Sequence, residues 1–212
     1  MIIAVDGTLA SGKGTVSRGI AKHFGLPHLD TGALYRAVAV DVLKADHDPL
    51  NAEQAATAAR NLDISAIDQD AIRTAEAGAA ASVVAVQTAV REALFDVQRR
   101  FAEQPAGAVL DGRDIGTVVC PDADVKFYID ADPHVRATRR WRELVERGDT
   151  VQLEDIERQL VERDARDSSR EAAPLMRAED AILLDTTHLS IDATLAEAVR
   201  IISNKTGATP GT

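Results

Sequence analysis

Near the N-terminus, four apolar residues and one acid, Ile2-Ile3-Ala4-Val5-Asp6, run into Gly7-Thr8-Leu9-Ala10-Ser11-Gly12-Lys13-Gly14-Thr15. The first segment has the length and β-branching of a buried strand, and the residues from Lys13 onward carry a helical pattern. Between them lies a glycine-rich turn of the form G-x-x-x-x-G-K, with almost no side chain to pack. Small residues let consecutive backbone N–H groups converge on an anion, and the positive end of the following helix adds to that field. A strand before and a helix after are the setting in which this spacing marks a phosphate-binding loop rather than a chance turn. The ATP-binding set read from it is Gly7, Ala10, Ser11, Gly12, Lys13, Gly14 and Thr15, with Lys13 reaching the β- and γ-phosphates. The general pattern has a hydroxyl directly after the lysine to hold Mg²⁺. Gly14 stands there, so Mg²⁺ is expected to travel with ATP, held by phosphates and water.

The rest of the chain alternates between short apolar runs and longer helical patterns. Strands are expected at Ile2–Val5, Leu26–Leu29, Ala108–Leu110, Val125–Ile129 and Ala181–Leu184. Helices are expected near 13–24, 32–45, 52–61, 80–103, 133–147, 153–170 and 191–203. This order predicts an α/β fold with a five-stranded parallel sheet covered on both faces, in one domain spanning 1–212. Asp6, Asp30, Asp111 and Asp185 each follow a strand run, and in such folds ligands lie beyond the carboxyl ends of the strands. For Asp185 the expected role is only to start a turn. The small, polar stretch 203–212 reads as a disordered tail.

Composition narrows the partners. The 212 residues carry a net charge of −10, which disfavours nucleic acid and anionic membrane while leaving room for a small anion in a local arginine cluster. One cysteine, Cys120, excludes an internal disulfide, and the histidines lack metal-ligand spacing. No signal peptide or membrane span is read, so a cytoplasmic protein is expected, and a monomer.

Three further segments are informative: Leu29-Asp-Thr-Gly-Ala-Leu-Tyr-Arg-Ala37, the run from Leu110 to Ile129 that opens Leu-Asp-Gly-Arg-Asp-Ile-Gly-Thr-Val-Val, and Glu162 to Leu175. With the loop they resemble, in order and interval, the bacterial-type cytidylate kinases, nucleoside monophosphate kinases built on a P-loop core. The resemblance runs from Ile2 to about residue 202. It implies transfer of the ATP γ-phosphoryl group to CMP, and to dCMP. The CMP-binding set it implies is Thr31, Tyr35, Arg36, Arg73, Ser82, Arg91, Asp111, Gly112, Arg113, Asp114, Arg163, Asp167 and Arg170. Lys13, Arg113, Arg163, Arg139 and Asp111 form the catalytic set.

Residue chemistry agrees with that outline. Guanidinium forks match phosphate oxygens, and Arg36 and Arg113 each follow a strand end, from which they are expected to meet above the sheet. Arg163, Arg166 and Arg170 share one helix face, where like charges repel unless an anion joins them. That anion is either a ligand phosphate or a neighbouring acid, Asp164 or Asp167. By resemblance Asp167 faces the ribose, while Asp114, Arg91 and Ser82 read the cytosine edge. Taken alone, Ser82 reads as a packing residue and Arg91 as a surface one. Asp111 is the leading candidate for a water-mediated Mg²⁺ contact, with Asp30 behind it.

An arginine-rich stretch, 136–152, read by itself is an exposed helix with Arg139–Glu143 and Arg142–Glu146 pairs, and most of its residues are expected to do no more. The resemblance places the family's lid here, with Arg139 or Arg140 acting. Trp141 reads as a packing anchor. Two departures stand out. Ala10 replaces a common glycine, tolerable if its φ stays negative. The nucleotide-binding region, 31–85, is bridged by only Asn61 to Ala77 where many members carry a β-rich insert. The rival readings are a kinase for UMP or AMP, and a nucleotide-dependent switch without transfer activity.

Overall fold

The computed structural model describes residues 1–211, which divide into two compact units, Met1–Leu29 with 102–211, and Asp30–Phe101. The second unit spans the 31–85 region expected to bind the nucleotide and continues to Phe101.

The first unit is built on a parallel sheet of β1 (Ile2–Gly7), β2 (His28–Asp30), β3 (Ala108–Gly112), β4 (Val125–Asp130) and β5 (Ile182–Asp185), in the order β2-β3-β1-β4-β5. β1 is central, and its Ile3, Ala4 and Val5 have no exposure to solvent, which is why the run is apolar throughout. Helix α1 (Lys13–Phe24) covers one face through Val16, Ile20 and Phe24, joined there by Ala198 and Ile202 of α8 (Ile191–Thr206). α1 ends where Gly25 adopts the left-handed conformation and donates to the Ala21 carbonyl. α6 (Pro133–Glu146) starts at an Asp132 cap with proline in its first turn, and packs Ala137 and Leu144 against Ile156 and Leu160 of α7 (Leu153–Ser168). Trp141 joins that cluster and donates its indole N–H to the Val151 carbonyl, the anchoring expected of it.

The second unit is helical. α2 (Thr31–Lys44) is capped by Asp30, whose carboxylate accepts from Ala33 N–H, and buries Leu34, Val38 and Val42. α3 (Ala52–Arg60) and α4 (Ala75–Val84) lie against it, offering mainly alanines. The bridge from Asn61 contains two short 3₁₀ turns, Ile64–Ala66 and Ala71–Arg73. The helix expected over 80–103 is interrupted: α4 stops at Val84 and α5 runs Thr88–Ala102. Side chains occupy carbonyls at the break, Gln87 donating to Pro49 and Arg91 to Ala85.

Residues 203–206, expected to be disordered, continue α8 to a left-handed Gly207 cap, and Gly211 N–H donates to the His23 carbonyl. Thr212, the end of that predicted tail, lies outside the described residues. Among the described residues no helix is long and apolar enough to cross a membrane.

Sheet register decides where the loop leaves. Val5 pairs with Asp111 and Asp6 with Gly112 on one side, while Gly7 pairs with Ile129 on the other. A Cβ at Gly7 would lie 2.0 Å from the Ile129 carbonyl oxygen, and its φ of +151° is one that side chains rarely adopt. Gly7→Ala should therefore lower unfolding free energy by about 3 kcal/mol or more, read from urea denaturation.

Candidate active site

The phosphate-loop candidate leaves β1 at Gly7 and enters α1 through Gly12, whose left-handed backbone (φ 87°) lets its carbonyl accept from both Thr15 and Val16 N–H at 3.1 Å. Successive amides in such a turn form an anion-binding concavity at a helix N-terminus. Ala10 sits at φ +61°. The condition under which its methyl group would be free of strain is thus not met, and alanine occupies a left-handed position.

Neighbouring elements hold the loop in this shape. The Thr8 hydroxyl donates to Asp130 at 2.6 Å, and Ser11 Oγ donates to the Thr8 carbonyl at 3.0 Å. Arg136, nearly fully buried, donates to the Leu9 carbonyl, to Ala131 and to the Asp164 carboxylate. The Thr186 hydroxyl contacts the Ser11 carbonyl, and Arg139 grips Thr186 through both its hydroxyl and its carbonyl. Asp130 ends β4 as the other acids end their strands, yet the sequence reading does not single it out. Nor does it single out Arg136 or Thr186, whose roles depend on residues far away in the chain.

Lys13 does not stand alone. Its ammonium donates to Asp111 Oδ1 at 2.7 Å, while His28 Nε2 lies 2.7 Å from Asp111 Oδ2. Burial would raise the Asp111 carboxyl, but Lys13 and His28 reverse this and hold it well below the usual carboxylate range. His28 carries no signal in the sequence beyond its place at the head of β2.

Beyond β3 the chain forms a π-helical turn, Ile115–Val119, anchored from β1: Asp6 accepts from Ile115 N–H at 2.8 Å and from Gly116 N–H at 2.7 Å. Burial pushes the Asp6 carboxyl up to about 7, against those two bonds, and the charge of Asp114 pushes the same way as burial. Asp6 thus fixes the backbone just after Arg113 and Asp114, the second of which is itself buried.

The arginine face of α7 resolves as follows. Asp167, 1% exposed, accepts from Arg113 Nε at 2.9 Å and pairs with Arg170, and Arg163 Nε lies 4.0 Å away. Burial would raise the Asp167 carboxyl; Arg113, Arg170 and Arg163 outweigh it and hold the group low. Three guanidinium groups thus converge on one carboxylate. Asp164 pairs with Arg136 instead, and Arg166 is exposed.

In the second unit, Arg36 pairs with Asp30 at 2.8 Å, so the carboxylate considered for Mg²⁺ serves as a helix cap and an arginine partner. Thr31, Tyr35 and Ser82 are buried. Arg91, read alone as a surface residue, sits with its guanidinium carbon 5.8 Å from the Tyr35 ring centroid. Arg73 is exposed in the second 3₁₀ turn. In the lid stretch Glu143 takes Arg140 and Arg147, while Arg139 is engaged with Thr186.

A glycine-rich loop closing the central strand of a parallel five-stranded sheet, with a lysine on a buried acid and a cationic cluster two residues further along, defines a P-loop phosphotransferase. The family model of cytidylate kinase matches residues 3–204. The cytidylate kinase of Xanthobacter autotrophicus is 55% identical over 203 residues, covering 95% of this chain and 97% of that protein. That of Azorhizobium caulinodans is 53% identical over 210 residues, covering 98% of this chain and 100% of its own. The chain belongs to the cytidylate kinase family. Since those alignments take in nearly the whole of proteins of about this length, they leave little room there for a longer bridge than Asn61–Ala77. A crystal structure of an uncharacterized protein from Eubacterium ventriosum shares the fold at 15% identity, with a TM-score of 0.58 over 96% of this chain and 98% of that one.

Strain at Ala10 gives a direct test. Relief of a left-handed alanine is worth about 1–2 kcal/mol, against about 0.4–1 kcal/mol of added chain entropy for glycine. Ala10→Gly should raise unfolding free energy by up to about 1 kcal/mol in urea titrations.

Proposed function

We propose that the protein transfers the γ-phosphoryl group of ATP to CMP, and to dCMP, giving ADP and the diphosphate. One observation carries this reading. Lys13 is bonded to Asp111 at the end of β3, and Arg113, two residues on, enters a cluster in which Arg113, Arg163 and Arg170 converge on Asp167. An ammonium suited to a donor phosphate and guanidinium groups suited to an acceptor phosphate therefore issue from one sheet edge.

The loop amides of Gly7 to Thr15 take the ATP phosphates, and Lys13 follows the charge that builds on the transferring group. Arg113, Arg163 and Arg170 bind the acceptor phosphate. Asp167 holds those guanidiniums in place and accepts from the ribose. Gly112, the last residue of β3, accepts from Arg113 through its carbonyl. Asp114 accepts from the cytosine amino group. Within the second unit, Thr31, Tyr35, Arg36, Arg73, Ser82 and Arg91 are the residues suited to nucleotide contacts. Transfer is direct and in line, so positioning and charge neutralisation do the work rather than a general base.

Magnesium enters with ATP. Gly14 has no hydroxyl, the Thr15 hydroxyl accepts from Arg18 at 3.2 Å, and both Asp111 oxygens already have partners. These residues suit an ion held by phosphates and water, with Asp111 the nearest acid. Among the described residues no three His, Cys, Asp or Glu gather as a metal site of their own. The ion would neutralise charge on the phosphates.

Turnover of CMP, dCMP, UMP and AMP by purified protein with ATP and Mg²⁺ tests the reading. CDP and dCDP formation is expected; preference for AMP would reject the base contacts, and ATP binding without CDP would favour a nucleotide-binding switch. Lys13→Ala should lower kcat by about 10³-fold or more, since it removes a charge at the transferring group. Asp114→Asn should reduce the CMP-to-UMP ratio of kcat/KM by roughly tenfold or more while leaving ATP affinity nearly unchanged.

A further inference from the structure

Asp6 lies on β1 directly before Gly7, so its backbone leads into the phosphate loop while its side chain turns to the segment after β3. It is 4% exposed, and each carboxylate oxygen takes one backbone amide: Oδ1 that of Ile115 at 2.8 Å, Oδ2 that of Gly116 at 2.7 Å. These amides open the π-helical turn, and a helix offers its own first N–H groups no acceptor. Ile115 and Gly116 are both buried, where an amide without an acceptor is costly. The turn then closes on the residue before it, because Val118 and Val119 N–H both donate to the Asp114 carbonyl. Asp114 is thus built into the backbone that Asp6 holds. Arg113 is anchored separately, through its bond to Asp167. All of these residues belong to the first unit.

We propose that Asp6 is a positioning residue for Asp114, and that through the turn it sets how strongly a cytosine nucleotide is preferred over a uracil one. This rests on the reading of Asp114 as the acceptor for the cytosine amino group. A carboxylate is the group this geometry needs. It presents two acceptors, side by side, to two successive N–H donors, whereas a side-chain amide presents one oxygen and one NH₂. Asp6→Asn therefore sets a donor against a donor at one of the two amides and forces the turn to shift. Charge works in the opposite sense. The charges of Asp114 and Lys13 both act on Asp6, so removing its own charge would by itself favour every anionic nucleotide alike. A selective loss of CMP is the mark of displacement, not of altered charge.

Steady-state kinetics of wild type, Asp6→Asn, Asp114→Asn and the double variant, with CMP, UMP and ATP varied in turn, test this. The assays run at about pH 8.5, where Asp6, pushed up to about 7 by burial, is ionised. Asp6→Asn should lower kcat/KM for CMP by about tenfold, the scale of a hydrogen bond to a charged group. That for UMP and the KM for ATP should stay within about threefold. In the Asp114→Asn background the same change should alter the CMP-to-UMP ratio by less than about twofold, because the group it positions is already gone. A residue that only supports the fold would lower CMP and UMP together and add its effect to that of Asp114→Asn. An unchanged CMP-to-UMP ratio in folded Asp6→Asn, equal losses for CMP and UMP or for CMP and ATP, or full additivity would each overturn the proposal.

Should Asp6→Asn fail to fold, amide hydrogen exchange in wild type decides. The Ile115 and Gly116 amides should be protected in the free protein, and CMP alone should slow their exchange by about threefold or more relative to UMP alone. Rapid exchange, or equal slowing by the two nucleotides, overturns the idea. A preference for CMP that Asp114→Asn abolishes and Asp6→Asn leaves intact keeps the kinase reading and removes Asp6 alone. An unchanged ratio in Asp114→Asn removes the reading of Asp114 on which the proposal rests.

Discussion

Buried carboxylates that hold cations in advance are what the site depends on. In a chain of net charge −10, an unassisted lysine or arginine is surrounded by competing acids. Here two acids with almost no exposure, Asp111 and Asp167, select the cations instead. Each stays ionised because its partners outweigh the penalty of burial. The two serve opposite ends of the proposed reaction. Asp111 holds Lys13 on one oxygen and faces His28 on the other. Asp167 gathers three guanidiniums, the groups that the proposed reaction needs for an acceptor phosphate.

The parts of this that could be read from the sequence are those fixed by local spacing. The strand runs, the glycine pattern and the three-and-four spacing of Arg163, Arg166 and Arg170 all follow from the short-range geometry of strands and helices. What could not be read depends on partners distant in the chain. Asp164 and Asp167 are equally placed beside those arginines in sequence, yet Asp164 goes to Arg136, 28 residues away, and only Asp167 is enclosed. His28 is silent because its partner arrives 83 residues later. The break between α4 and α5 has no proline or glycine to announce it, being stabilised by Gln87 reaching Pro49. The continuation of α8 past Ser203 was hidden by its small polar residues.

Ala10 shows local expectation overruled by the surroundings. A left-handed alanine persists only where neighbours leave no alternative. Thr8 is tied to β4, Leu9 to α6 through Arg136, and Ser11 to the segment after β5 through Thr186. With the residues on both sides of Ala10 fixed, its own conformation is dictated. The same ties link the loop to the α6–α7 pair, because Arg136 spans from the Leu9 carbonyl to Asp164 on α7.

That linkage bears on which lid arginine is free to act. Arg139 is committed twice to Thr186, at 3.0 and 2.6 Å, and through Thr186 to the loop carbonyl of Ser11. Drawing it away would forfeit both bonds and loosen an anchor of the loop itself. Arg140 is held by Glu143, an exposed acid that Arg147 also contacts, and pairs of that kind contribute only about 0–1 kcal/mol. On energetic grounds Arg139 braces the loop from where it stands, and of the two arginines Arg140 is the one whose present pairing costs less to give up.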